Sequence, residues 1–338
     1  MVHAIKRLSS TVLVAFFLTA TLFVPMTLEG AENVKIGSAA YLTDIAERFA
    51  ELAHEKSGGR ISISVLRDPV FEDEVGNISA VQNGGGMQAT VVGINKLGIS
   101  PSMGFISFPY MFPSLEKADA FFASAFISEV NSRLKTESAA NGGAIIGIGW
   151  FTNDYRVLTN SLREVRSPSD LNGMIVRVPE SRVMQDTFAA WGARAVQMSW
   201  AEVPDALRNG IVHGQENPYS IIVGAKLQET QKFLTPIRYN LWAGVILVNS
   251  KWFDALSEEL KASVSEAGRE AALWKSEKSK SESALFKEQL VADGVLITEP
   301  ADGEREWKEL AVALWDSLYE KSGGREWIER VSSHITGD

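Results

Sequence analysis

Residues 174–178, Met-Ile-Val-Arg-Val, constrain this chain more than any other stretch. Met174, Ile175, Val176 and Val178 are apolar on both sides of Arg177, the pattern of a strand buried on both faces of an α/β sheet. A guanidinium set in such a strand needs an anion, because burying it unpaired costs on the order of several kcal/mol. That anion is either a fixed carboxylate of the protein or the carboxylate of a ligand, and position alone does not separate the two.

The punctuation around this strand is legible. Ser167, Pro168 and Asp170 read as a helix N-cap, first-turn proline and acidic third position, and Ser199 with Glu202 forms a capping box at the next helix start. Gly210 closes that helix, and Ile-Val-His-Gly-Gln-Glu-Asn resumes as a strand, so residues 156–219 read β, α, β, α, β. Parallel strands connected in this way bring their carboxyl ends to one edge, where ligands bind in open α/β folds. Arg177, Glu180 and Asn217 are expected to gather there.

Four phrases, FTNDYRVLTN (151–160), DLNGMIVRVPES (170–181), GARAVQMSWAEVPDALRNGIVHGQENP (192–218) and VILVN (245–249), occur in fixed order and spacing. Together they resemble the substrate-binding proteins of tripartite ATP-independent periplasmic (TRAP) transporters, of the DctP type. The resemblance runs from about residue 33 to near the C-terminus. It implies an α/β, two-lobed periplasmic-binding-protein-like fold with a long helix spanning both lobes. It also implies capture of a small organic acid (a dicarboxylate, a sugar acid, or an oxo or hydroxy acid) and its delivery to the permease subunits in the membrane.

By the same resemblance Arg177 is the arginine that forms a bidentate salt bridge with the substrate carboxylate, a geometry lysine cannot copy. Arg156 aligns with a second, less regular arginine, which is either a ligand contact or half of a structural pair. Asn217 matches a pocket asparagine, against the plainer role of a turn residue before Pro218. Trp200 falls where an aromatic packs over the ligand's carbon skeleton, against simple core burial. Glu180 either accepts from ligand hydroxyls or orients Arg177. Trp150, Glu74 and Trp242 are weaker pocket candidates, with structural roles as the alternative. The chain departs from the family at GGGMQAT, where a glycine-aspartate phrase is usual, and at His213, where an aspartate is usual. Those departures leave the identity of the acid open.

The remaining chain fits a secreted two-lobe protein. Residues 1–30 read as a signal peptide: His3, Lys6 and Arg7 precede the apolar run 11–24, which is shorter than the roughly 20 residues that span a bilayer. Cleavage near Gly30 or Ala31 and a periplasmic location are expected, an uncleaved anchor being the alternative. The chain has no cysteine, which excludes a lipid-modified N-terminal cysteine and any disulfide. The net charge is −9, and because Lys6, Arg7 and Glu29 contribute +1, residues 31–338 carry −10. An acidic chain without a basic cluster argues against nucleic acid but does not forbid a local arginine site for an anion.

The remaining 308 residues are long for one domain. We place lobe I at 31–153 and 242–282 and lobe II at 154–241 and 283–332. A βαβαβ start is expected over 33–93, one helix over 115–139, one helix of about 36 residues over 257–292, and a final helix over 304–324. An enzyme is not expected: there is no GxSxG and no P-loop, and His3, His54, His213 and His334 lack metal-ligand spacing. Accordingly no catalytic residue, cofactor or metal is assigned, and the protein is expected to act as a monomer. A sensory binding protein reporting to a membrane receptor is the other reading the chain allows.

Overall fold

Strand alternation decides the layering. Successive side chains of a strand face opposite ways, and in the chain's most buried strand, Leu241–Asn249, both sets are apolar: Ala243, Val245 and Leu247 join one core, Trp242, Ile246 and Val248 another. Such a strand needs helices on both faces. The computed structural model describes residues 32–67, 71 and 73–337; residues 1–30, expected to be a signal peptide, lie outside them.

The first sheet opens with β1 (Glu32–Ser38), α1 (Thr43–Lys56), β2 (Ile61–Leu66), α2 (Glu74–Asn83) and β3 (Ala89–Gly93), with β1 parallel to both β2 and β3. A proline-led 3-10 turn (Pro101–Ser107) follows, then α3 (Leu115–Phe122), α4 (Ile127–Ala140) and β4 (Ile145–Tyr155). One helix was expected over 115–139. It breaks at Ala123–Phe126, and the change of direction lets Phe121, Phe122 and Phe126 all enter one core, where Phe126 stacks on Trp327.

The chain then crosses at Arg156 into β5 (Val157–Asn160), β6 (Ile175–Val178), α5 (Arg182–Ala190), β7 (Arg194–Gln197), α6 (Val203–Arg208), β8 (Gly214–Asn217), α7 (Tyr219–Gly224) and β9 (Phe233–Thr235). β6 is parallel to β7 and β8, while β5 runs antiparallel to β8 and β9. Both capping boxes form, but each opens a 3-10 turn rather than an α-helix. The return crossing lies beside the first, with the Arg156 amide donating to the Asn240 carbonyl at 2.9 Å.

β10 (Leu241–Asn249) rejoins the first sheet between β3 and β4, giving the order β2-β1-β3-β10-β4. After α8 (Ser250–Ala255) comes α9 (Glu258–Ala292), whose 35 residues extend about 52 Å at 1.5 Å per residue. Its Leu260, Val264, Ala267 and Ala271 pack on the first sheet, while Leu290 packs with Leu207 and Leu227 under the second. The expected lobe-spanning helix is therefore present. Among the described residues no helix is long and apolar enough to cross a membrane.

β11 (Leu296–Ile297) completes the second sheet, β11-β9-β5-β8-β6-β7. The final helix expected over 304–324 is instead α10 (Arg305–Val312), α11 (Trp315–Leu318) and a 3-10 turn, and α12 (Arg325–Thr336) follows. The break has a packing cause. Trp307 and Ala311 sit in the second sheet's core, whereas Leu318, Trp327, Ile328 and Val331 return to the first sheet's core, and one straight helix could not reach both. The tail after Leu314 thus packs with the first sheet, correcting its placement in lobe II.

Candidate functional site

The parallel strands of the two sheets end toward one cleft. From the second sheet come Arg177 on β6, Pro179 just beyond it, Trp200 beyond β7, Asn217 at the end of β8, and Ile221 on α7. From the first come Tyr41 beyond β1, Glu74 at the start of α2, Asn95 and Lys96 beyond β3, and Trp242 on β10, while Arg156 sits at the crossing. About 290 Å³ of space free of atoms lies between them, part of it open to solvent.

Alternation along β6 sends Val176 and Val178 into one core and puts Arg177 on the opposite face with Ile175. Arg177 is 2 % exposed. Its Nε and Nη2 donate to the Met198 carbonyl at 3.0 and 2.7 Å, and its guanidinium carbon lies 5.9 Å from the Trp200 ring centre. Among the described residues no carboxylate oxygen lies within 4.0 Å of it. Burial consequently pulls its pKa down to about 10, a loss that the more distant Glu216 only partly offsets and that neighbouring Arg156 deepens.

Arg156 is the opposite case. Its Nη2 donates to Glu216 Oε1 and to the Glu216 carbonyl, both at 2.9 Å, and to Asn217 Oδ1 at 3.1 Å, while its Nε donates to Glu216 Oε2. The Tyr239 hydroxyl donates to the same carboxylate at 2.8 Å; burial and then the charge of Glu216 push that phenol's pKa well up, so it stays neutral. Asn217 is held as firmly, accepting from Arg156 and donating to Gln215 Oε1 at 2.6 Å.

Glu74 is 4 % exposed and accepts from the Tyr41 hydroxyl at 2.9 Å and the Gly93 amide at 2.7 Å. Burial raises its pKa above the usual carboxyl value despite the nearby charge of Lys96. Lys96 itself reaches across the cleft to Glu180 Oε2 at 2.6 Å. Partial burial opposes the charge on Glu180, yet Lys96 holds its pKa below the usual value. Tyr41 meets Trp200 and Trp242 edge-on at 6.2 and 5.9 Å, so three aromatic rings drawn from both sheets form one wall.

Of the residues singled out from sequence, Arg177, Arg156, Asn217, Trp200, Glu74 and Trp242 share this cavity, and Glu180 stands at its rim on Lys96. Trp150 does not. It stacks on Phe122 at 6.1 Å and lines a separate groove beside α9, because it lies opposite Val245 in the core on the other face of the sheet from Trp242. Tyr41, Asn95, Lys96, Pro179 and Ile221 were missed. The strand-end rule used for β6 and β8 would have found Tyr41 and the Asn95-Lys96 pair, had it been applied to β1 and β3. His213 accepts from the Ile175 amide at 3.0 Å and pins the start of β6.

Comparison with known proteins agrees with this layout. The family model for bacterial extracellular solute-binding protein, family 7 (DctP), matches residues 36–322. The C4-dicarboxylate-binding protein DctB of Bacillus subtilis is 28 % identical over 307 residues, covering 89 % of this chain and 83 % of its own. The 2,3-diketo-L-gulonate-binding periplasmic protein YiaO of Escherichia coli is 27 % identical over 246 residues, 71 % of this chain and 73 % of its own. A TRAP periplasmic solute-binding protein of Rhodobacter sphaeroides, solved in an apo, open, partially disordered form, superposes with a TM-score of 0.77 at 28 % identity over 90 % of this chain and 99 % of its own. Fold and cleft thus define a two-lobed α/β solute-binding protein. More narrowly, the chain belongs to the DctP family of extracellular solute-binding proteins, those of TRAP transporters.

Proposed function

We propose that this protein captures a small organic acid between its lobes, with the acid's carboxylate seated on Arg177, and delivers it to a TRAP permease. The observation that carries the reading is a guanidinium buried on a strand end inside a cleft, whose hydrogen-bond acceptor among the described residues is a backbone carbonyl and not a carboxylate. Burial of that charge is unfavourable until a carboxylate arrives, and desolvation then strengthens the charge-assisted bonds it can make. Trp200 and Trp242 flank the acid's carbon skeleton, Asn217 is held ready at the side, and Glu74 and Glu180 face its polar groups.

Closure follows from how the lobes are joined. Two adjacent crossings, at Arg156 and Asn240, and the continuous α9 leave the sheets free to hinge, and the Lys96–Glu180 pair and the Tyr41–Trp200 contact bridge the cleft when it is shut. The open apo form of the Rhodobacter sphaeroides protein supports such a motion. Both named relatives bind acids, a C4-dicarboxylate and 2,3-diketo-L-gulonate, which supports the class of ligand. Residues 1–30 would direct secretion, and the mature protein would work in the periplasm.

The test is a thermal-shift screen of the mature protein against organic and sugar acids. A true ligand at 100 times its Kd adds about 2.7 kcal/mol of stability. Arg177→Lys should abolish the best ligand's shift and leave the unliganded melt nearly unchanged. Collapse of the unliganded variant would instead make Arg177 a structural residue and remove the basis of the assignment.

A further inference from the structure

Among the described residues, the charges around the cavity pair off within the protein and leave two unpaired, one on each lobe. Arg156 is neutralised by Glu216, and Lys96 by Glu180. What remains is Arg177 on the second sheet's side and Glu74 on the first sheet's side. Both are more than nine-tenths buried, and among the described residues neither lies within 4.0 Å of an opposite charge. Each is hydrogen-bonded only to uncharged groups: Arg177 to the Met198 carbonyl, Glu74 to the Tyr41 hydroxyl and the Gly93 amide.

We infer that this cavity selects short monocarboxylic acids carrying hydroxyl groups and rejects dicarboxylates, with Glu74 as the residue that sets the choice. The inference rests on the seating of a carboxylate on Arg177. Once one carboxylate is there, the only unpaired charge left for the ligand's far end, among the described residues that line the cavity, is another carboxylate. A hydroxyl can donate to Glu74, which retains acceptor capacity beyond its two present bonds. A second carboxylate could only accept, and against the Glu74 carboxylate it would find no donor unless one of the two took up a proton. Lys96 is the nearest cation to that end, and its charge is already matched by Glu180. Only about 20 Å³ of the cavity is open to the centre of a water-sized sphere, far below the range of about 300–1,000 Å³ usual for small-molecule pockets, which favours a short carbon chain.

Titration calorimetry on the mature protein with four-carbon acids tests this directly. D-erythronate and L-threonate should bind at least tenfold more tightly than succinate and malate. Glu74→Gln should weaken the hydroxy acids about tenfold while leaving succinate unchanged or tighter, so that the ratio narrows. Arg177→Lys should weaken both classes. Wild-type protein that binds succinate or malate as tightly as the hydroxy acids overturns the inference, and this comparison needs no variant to fold. So does a Glu74→Gln variant that loses both classes equally. If dicarboxylates win and Arg177→Lys abolishes them, the Arg177 site stands and only the selection by Glu74 falls. If neither class binds, the carboxylate site itself is refuted and the selection goes with it.

Discussion

Two arginines lie within one cavity, and among the described residues one is matched by a carboxylate while the other is not. Arg156 is locked onto Glu216, with Tyr239 and Asn217 completing the network, so removing it would strand a carboxylate that is wholly buried. Breaking such a pair typically costs about 3–5 kcal/mol. Urea denaturation of Arg156→Ala should therefore show a loss of that size without ligand present, whereas Arg177→Lys should change the same measurement by less than about 1 kcal/mol. Sequence placed both arginines at strand ends but left Arg156 undecided between ligand contact and structural pair. Its partner is 60 residues away and reaches it through the β5–β8 register, in which Val157 faces Asn217 and Leu158 faces Glu216.

Among the elements, α9 was the most legible, and its single glycine shows what periodicity leaves out. A Cβ on Gly268 would lie 2.7 Å from the Ile148 carbonyl oxygen, and one on Gly149 would lie 2.2 Å from the Gly268 carbonyl oxygen. The helix therefore crosses β4 at a point where neither backbone has room for a side chain. Glycine to alanine in an exposed helix interior normally gains about 1 kcal/mol. Here overpacking reverses the sign, and Gly268→Ala should lower the unfolding free energy by about 1–3 kcal/mol in chemical denaturation. Helices 115–139 and 304–324 were read as continuous because their apolar residues recur at helical spacing, yet both break. Local periodicity records that a residue is buried, not which core receives it.

For the whole molecule, the hinge closure proposed above is what would join fold to function. In this structure Lys96 beyond β3 holds Glu180 beyond β6, and Tyr41 meets Trp200 edge-on. Exposed and partly exposed contacts of this kind are each weak, so the ligand has to supply much of the preference for the shut state. Small-angle scattering should then give a smaller radius of gyration with a saturating acid than without, and Arg177→Lys should remove the change. An identical radius in both conditions would mean that the lobes do not hinge.

The sequence by itself determined the two-sided burial of the strands, the long helix, the strand-end position of Arg177 and the family to which these phrases belong. These are written in local apolar pattern, caps and spacing. Only the tertiary structure decided which arginine is already matched, that Trp150 faces away from the cleft, and that Glu74, Tyr41 and Lys96 face Arg177 across it. The reason is electrostatic as well as geometric: a desolvated charge takes its role from the nearest opposite charge, and strand register and lobe packing set that neighbour across gaps of tens of residues.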